Sequence, residues 1–258
     1  MGVLDEILSR KRSELPELRR RVLPPFPKRV PAVDLRRAPD GTLRILAENK
    51  RRSPSAGNLS TVLGVAERAA AYERAGASLI SVLCDNHFFG GDYEDLHRAR
   101  EGSSLPLLCK EFIIDEIQLD CALAYGASAA LLIVRCLSDE ALERLLPATI
   151  ARGLLPVVEV ATEAEAELAL RAGATTIGVN ARDLDTLEMR RDRAAAILRD
   201  LPKHVIKLHL SGLSKPEDVR QVFDGPADAA LIGEVLMRQD DPEPLLRSLV
   251  AAAAPVSV

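Results

Sequence analysis

Apolar residues in this chain fall into short runs, each introduced by a glycine and closed by polar residues. The stretches "ERAGASLISVL", "AYGASAALLIV" and "RAGATTIGVN" share an alanine-rich helical segment, then Gly76, Gly126 or Gly173, then an apolar run. A glycine just past a helix takes positive φ and closes the last turn. The run that follows is too short for a helix and reads as a strand buried on both faces. The pattern recurs about every 48 residues and spans two strands each time, the rhythm of a parallel β/α protein.

Such runs predict strands near 44–49, 79–84, 106–110, 129–134, 155–160, 175–180, 205–210 and 228–232. Helical spacing lies between them in "TVLGVAERAAAYERA", "DEIQLDCALAY", "SDEALERLLPATIAR", "TEAEAELALRA" and "LEMRRDRAAAILRDL". Eight strands alternating with helices predict a closed (β/α)₈ TIM barrel over residues 44–258. A doubly wound sheet more often shows a Gly-rich fingerprint after its first strand, whereas here that strand ends in Glu48 and Lys50. Residues 1–43 stand outside the count. "VLDEILSRKRSELPELRRRV" has helical spacing and "LPPFPKRVPAVDL" is a proline-rich connector, so this segment is expected to pack on the barrel as an N-terminal extension.

Composition narrows the function. With 258 residues, 47% of them apolar, the chain suits one large α/β unit. A net charge of −4, both signs spread along the chain, gives no electrostatic case for nucleic acid or an anionic membrane. No run approaches the roughly 18 to 20 apolar residues of a membrane span, and the first 21 residues are charged throughout, so a cytoplasmic address is expected. Cys84, Cys109, Cys121 and Cys136 lack C-x-x-C spacing and read as small buried hydrophobes; no metal is expected. The extension could shield an apolar face in a monomer or pack in a dimer, and a monomer is expected.

In a closed parallel barrel the active site lies at the carboxyl ends of the strands. Glu48 and Lys50 are two apart and share one face of the first strand, either as a structural ion pair or as an acid and an amine confined for chemistry. The third strand ends in Lys110, in phase with Phe112. Glu159 interrupts the apolar run "LLPVVEVAT" and is a candidate general acid or base. Asn180 and Arg182 are again in phase, and Asn180 is a ligand-orienting candidate, since a buried amide must be paired. After the last two strands, Ser211 and Gly212 in "LSGLSKPED" and Gly233 in "ALIGEVLMR" mark a candidate anion cradle, the usual place for a barrel phosphate site. Ser53 and Pro54 begin a loop placed to cover the mouth.

"AENKRRSPSAG", "HFFGGDYEDL", "LLCKEFIIDEIQL", "LLIVRCLSDEAL", "VVEVATEAE", "IGVNARDL", "LSGLSKPEDV" and "LIGEVLMR" together resemble indole-3-glycerol phosphate synthase, in order and over nearly the whole chain. The resemblance implies a cofactor-free barrel enzyme of tryptophan biosynthesis. Its reaction closes the indole ring of a carboxyphenylamino-deoxyribulose phosphate with loss of carbon dioxide and water. It implies Lys110 as the general acid on the substrate carbonyl, Lys50 as partner of the aryl carboxylate and acid in dehydration, and Glu159 as the acid/base partner. Glu48 and Asn180 are implied to orient the lysines and the ribulose hydroxyls. Ser211, Gly212, Gly233 and the backbone at Glu234 are implied to hold the phosphate, and Phe89, Phe112, Leu131, Leu184 and Pro54 to line the aryl pocket.

The chain departs from the family pattern as well. The family usually has an apolar residue at Asn49, Thr at Cys84, Arg or an apolar residue at Cys109, Asn at Ala181, and Glu at Leu210, here preceded by His209. All lie on strands near the expected catalytic ends, which keeps two other readings open: an altered barrel using a lysine Schiff base for aldol-type chemistry, and a non-catalytic binder of a phosphate ligand.

Overall fold

A computed structural model describes residues 2–53, 57–60, 62–182 and 188–255. Helix α1 (Val3–Leu18) is followed by an extended connector and then strand β1 (Arg44–Asn49). A two-residue antiparallel pair, β2 (Arg52–Ser53) with β3 (Gly57–Asn58), leads into α2 (Val65–Arg74). From there strand and helix alternate: β4 (Leu79–Leu83), α3 (Tyr93–Gly102), β5 (Leu107–Lys110), α4 (Glu116–Ala124), β6 (Ala129–Ile133), α5 (Asp139–Ala151), β7 (Leu155–Val160) and α6 (Glu163–Arg171). They continue with β8 (Thr176–Asn180), α7 (Arg191–Asp200), β9 (Ile206–Leu210), α8 (Pro216–Phe223), β10 (Ala229–Ile232), the short α9 (Glu234–Met237) and α10 (Glu243–Ala252). β1 and β4 to β10 pair in parallel, and β4 returns to β1 to close the barrel.

The expected glycines do what the pattern required. Gly76, Gly126 and Gly173 follow α2, α4 and α6 with φ of 93°, 93° and 88°, a conformation that strains any residue bearing a Cβ. Along each strand, side chains then alternate between two apolar layers. Leu46, Leu79, Leu108, Val157, Leu208 and Leu231 fill the barrel interior, while Ile45, Ile80, Leu107, Val158, Ile177 and Ile232 pack under the helices. Two helix starts are displaced. The spacing in "TVLGVAERAAAYERA" began at residue 61, but α2 starts at Val65, with Gly64 as its extended N-cap. The other spacing began near residue 187, but α7 starts at Arg191, because Met189 forms an isolated antiparallel bridge to Arg182 and keeps the chain extended there.

The buried positions of α1, Leu4, Ile7 and Lys11, are three and four residues apart and so share one helical face. Leu4 and Ile7 join the interior apolar cluster beside Phe112 and Leu131, which places α1 against the carboxyl-terminal end of the barrel. Lys11 anchors it: its Nζ lies 2.8 Å from Asp85 Oδ2, 3.0 Å from Glu14 Oε2 and 3.1 Å from Glu111 Oε2. Three carboxylates around one ammonium cannot all be well compensated, and burial, with Asp85 adding to it against Lys11, pushes the Glu111 pKa up to about 7. No helix among the described residues is long and apolar enough to cross a membrane.

Candidate active site

The residues that close the strands sit two positions beyond an interior apolar residue, so the same alternation that buries the core carries them into the mouth. Glu48 follows Leu46, Lys110 follows Leu108, Glu159 follows Val157, and Asn180 follows Gly178. They line a cavity of about 460 Å³ together with Lys50, Arg182, Ser211, Gly212, Gly233 and Glu234. Phe89, Phe112 and Leu131 form an apolar wall of the same cavity, with the two rings 6.0 Å apart, and Val3, Leu4 and Ile7 of α1 close it from above. Ser53 contributes backbone to β2; its side chain, and all of Pro54 and Leu184, lie outside the described residues.

Two lysines and two acids alternate around the cavity, but the contacts are unequal. Lys50 Nζ is 2.8 Å from Glu48 Oε1, a tight ion pair. Lys110 Nζ is 3.5 Å from Glu159 Oε2 and 3.9 Å from Glu48 Oε2, too far for strong hydrogen bonds. Its N–H groups are therefore held electrostatically without being used up. Burial favours the neutral amine, yet the Glu159 and Glu48 charges outweigh it and raise the Lys110 pKa above the ordinary lysine value. For Glu48 burial raises the pKa, and the Lys50 and Lys110 charges reverse it, leaving the group below the ordinary value. Glu48 Oε2 is buried without a hydrogen-bond partner among the described residues.

A second chain of contacts fixes the opposite side. Asn180 Nδ2 donates to Glu159 Oε1 at 2.9 Å, while Asn180 Oδ1 accepts from Ser211 Oγ at 2.7 Å and from the Arg182 N–H at 2.9 Å. The amide thus uses one of its two N–H donors and both acceptor positions, and it orients both an acid and the β9 loop. Gly233 is there for space: a Cβ at this position would lie 2.4 Å from Glu48 Oε1. Tyr72 Oη, from α2, donates to the Glu48 carbonyl at 3.0 Å, and Arg68 donates to the carbonyls of Leu236 and Gln239 at 3.2 Å each, tying α9 and the end of β1 to one helix. Glu234 is bound by Arg238 at 2.8 Å and approached by Arg182 at 4.0 Å.

The departures from the family pattern divide by face. Cys84, Cys109 and Ala181 belong to the apolar layer under the helices, and Asn49 and His209 share that side by alternation. Their nearness to the catalytic ends therefore does not put their side chains in the cavity. Leu210 alone of the six faces inward, its Cδ1 2.6 Å from where a Cβ on Gly178 would stand. Sequence reasoning missed the Lys11 cluster, the α1 contribution to the cavity, and Arg191 and Arg238 on its rim. Lys11 was detectable, since it falls four residues after Ile7 and seven after Leu4 on the apolar face of α1.

Solved structures similar to this chain share its fold. The 3-hexulose-6-phosphate synthase from Salmonella typhimurium superposes with a TM-score of 0.65 over 82% of this chain and 98% of that one, at 15% identity. A thiamine phosphate pyrophosphorylase from Pyrococcus furiosus gives 0.61 over 83% and 96%, at 16% identity. Sequence relatives go further. The indole-3-glycerol phosphate synthase of Streptomyces griseus is 41% identical over 262 aligned residues, 98% of this chain and 97% of the relative. That of Mycobacterium leprae is 44% identical over 208 residues, 81% and 76% of the two chains. The family model for indole-3-glycerol phosphate synthase matches residues 4–249, and the chain belongs to that family.

Proposed function

We propose that this chain, acting in the cytoplasm as a monomer without a bound cofactor, closes the indole ring of 1-(2-carboxyphenylamino)-1-deoxyribulose 5-phosphate with loss of carbon dioxide and water. The observation that carries the assignment of roles is the convergence of Lys50, Lys110, Glu48 and Glu159 on one cavity, facing the Ser211–Gly212 and Gly233 turns. Four buried, free cysteines fit a reducing compartment.

Lys110 supplies the proton that activates the ketone. Its neighbours favour the ammonium, and its long contacts leave donors for a substrate oxygen. The aryl carbon bearing the carboxylate attacks the ketone carbon, and breaking the bond to that carboxylate as carbon dioxide restores aromaticity. Lys50 pairs with the carboxylate before it departs and then acts as acid when the new hydroxyl leaves as water. Glu159, held by Asn180, exchanges protons during that loss, and the open Glu48 Oε2 accepts from a ribulose hydroxyl. The aryl ring rests on Phe89, Phe112 and Leu131. The phosphate sits on the backbone at Gly212, Gly233 and Glu234, where Arg182 and Arg238 offset the Glu234 carboxylate. A charged Lys110 has no lone pair to offer a carbonyl, which favours the acid role over a Schiff base.

The test is fluorescence-detected formation of indole-3-glycerol phosphate. The wild type turns over, and Lys110→Ala or Glu159→Gln lowers kcat by about 10²–10⁴-fold. No product from the wild type, or a Lys110→Ala rate equal to it, overturns the reading.

A further inference from the structure

Ser211 is the one non-glycine with left-handed backbone among the described residues, at φ 67°, and Gly212 follows at φ 83°. A side chain in that region is strained, so neighbouring contacts must hold it there. Three do. Ser211 Oγ donates to Asn180 Oδ1 at 2.7 Å, the Ser211 carbonyl lies 3.1 Å from His209 Nε2, and the Gly212 carbonyl accepts from Arg191 Nη2 at 2.7 Å.

In a trans peptide the carbonyl and the following N–H point in opposite directions. Fixing the Ser211 carbonyl therefore aims the Gly212 N–H, and fixing the Gly212 carbonyl aims that of Leu213. His209 lies behind the barrel wall, on the helix-facing side of β9 between the inward Leu208 and Leu210. A carbonyl turned toward it sends the next N–H back toward the cavity, which Gly212 and Leu213 line. Neither N–H has an acceptor among the described residues. Burial, aided by the Arg191 charge and opposed by the bond to Ser211, pushes the His209 pKa down to about 4, so the ring is neutral near pH 7 and carries one proton. A carbonyl can only accept, which puts that proton on Nε2.

We infer that His209 and Arg191 are positioning residues for the substrate phosphate, holding two carbonyls outward so that the N–H groups of Gly212 and Leu213 converge on the anion. This rests on the phosphate seat proposed above, and it gives a task to a histidine that the family pattern did not supply.

Titration with inorganic phosphate, followed by calorimetry, tests both layers because it needs no turnover. The wild type binds phosphate in competition with substrate; if it does not, the seat itself is wrong. Given that binding, His209→Leu weakens phosphate affinity about tenfold, the scale of one lost hydrogen bond, and the loss falls on KM more than on kcat. His209→Gln, which keeps an N–H donor, recovers most of it. Wild-type phosphate affinity in His209→Leu, or failure of His209→Gln to recover what a folded His209→Leu loses, overturns the inference. Should His209→Leu not fold, Arg191→Met at the rim decides, with weaker phosphate binding supporting the inference and unchanged binding ending it.

Discussion

Lys11→Met removes the one cation that α1 buries, and its consequences follow from the local geometry. Lys11 stands within 3.1 Å of Asp85, Glu14 and Glu111, and it is 3% exposed. Deleting one partner of a buried ion pair costs about 3–5 kcal/mol, because the other charge stays behind. Glu111 softens this: with its pKa already up to about 7, it takes a proton once Lys11 is gone. Asp85, fully buried with its Oδ2 2.8 Å from the Lys11 ammonium, loses that cation outright, and the lower end, about 3 kcal/mol, is expected.

That figure is decisive because little else holds the start of the helix. Leu4 and Ile7 are its buried apolar anchors, together worth about 3–6 kcal/mol. Losing about 3 kcal/mol shifts the docking equilibrium roughly 10²-fold and leaves α1 marginal. Hydrogen exchange in residues 3–18 should therefore accelerate about 10²-fold while the barrel strands stay protected, and KM should rise because Val3, Leu4 and Ile7 line the cavity. Adding Glu111→Gln to Lys11→Met should recover part of the protection. Exchange within twofold of wild type in Lys11→Met would mean that the cluster does not hold the helix, and the reasoning would fail.

Gly233→Ala places a methyl 2.4 Å from Glu48 Oε1 and 3.0 Å from its Cβ, so Glu48 must leave Lys50; melting and kinetics should show about 1–3 kcal/mol lost and a large fall in kcat. Stability should also carry a pH signature of Glu111. Its folded pKa of about 7 lies above its ordinary 4.5, so its contribution is fully present below about pH 4.5 and is lost as pH rises through 7, about 3 kcal/mol in all. Melting temperatures across that window should separate wild type from Glu111→Gln, the gap between them changing with pH; a constant gap would contradict the assignment.

The strands were legible because a wall buried on both faces leaves a simple mark, an apolar run bounded by a glycine and a polar end. Glu48, Lys110, Glu159 and Asn180 were legible for a related reason: a charge or an amide inside such a run must be paired and has few explanations. The start of α7 was not, because helical spacing continues through residues that the bridge between Arg182 and Met189 keeps extended. The role of Lys11 was hidden by composition, since one lysine in "ILSRKRSELPEL" looks like any other until Asp85 and Glu111 arrive from just beyond the ends of β4 and β5. The clustering of the departures was visible, but the face each occupies depends on register.

That distinction of faces bears on how much the departures matter. Cys84 and Cys109, with Sγ atoms 3.6 Å apart, sit under α3 and α4 and change packing outside the cavity. Leu210 changes the cavity itself, yet it leaves two carboxylates facing two lysines, a balanced set in which each charge keeps an opposite partner. A buried acid is lost at little cost when no cation is stranded by its absence. His209 is the exception to the division. A barrel wall is one residue thick, so a donor on its outer side can still touch the backbone of the strand end, and through the Ser211 peptide it reaches the inner surface without entering it.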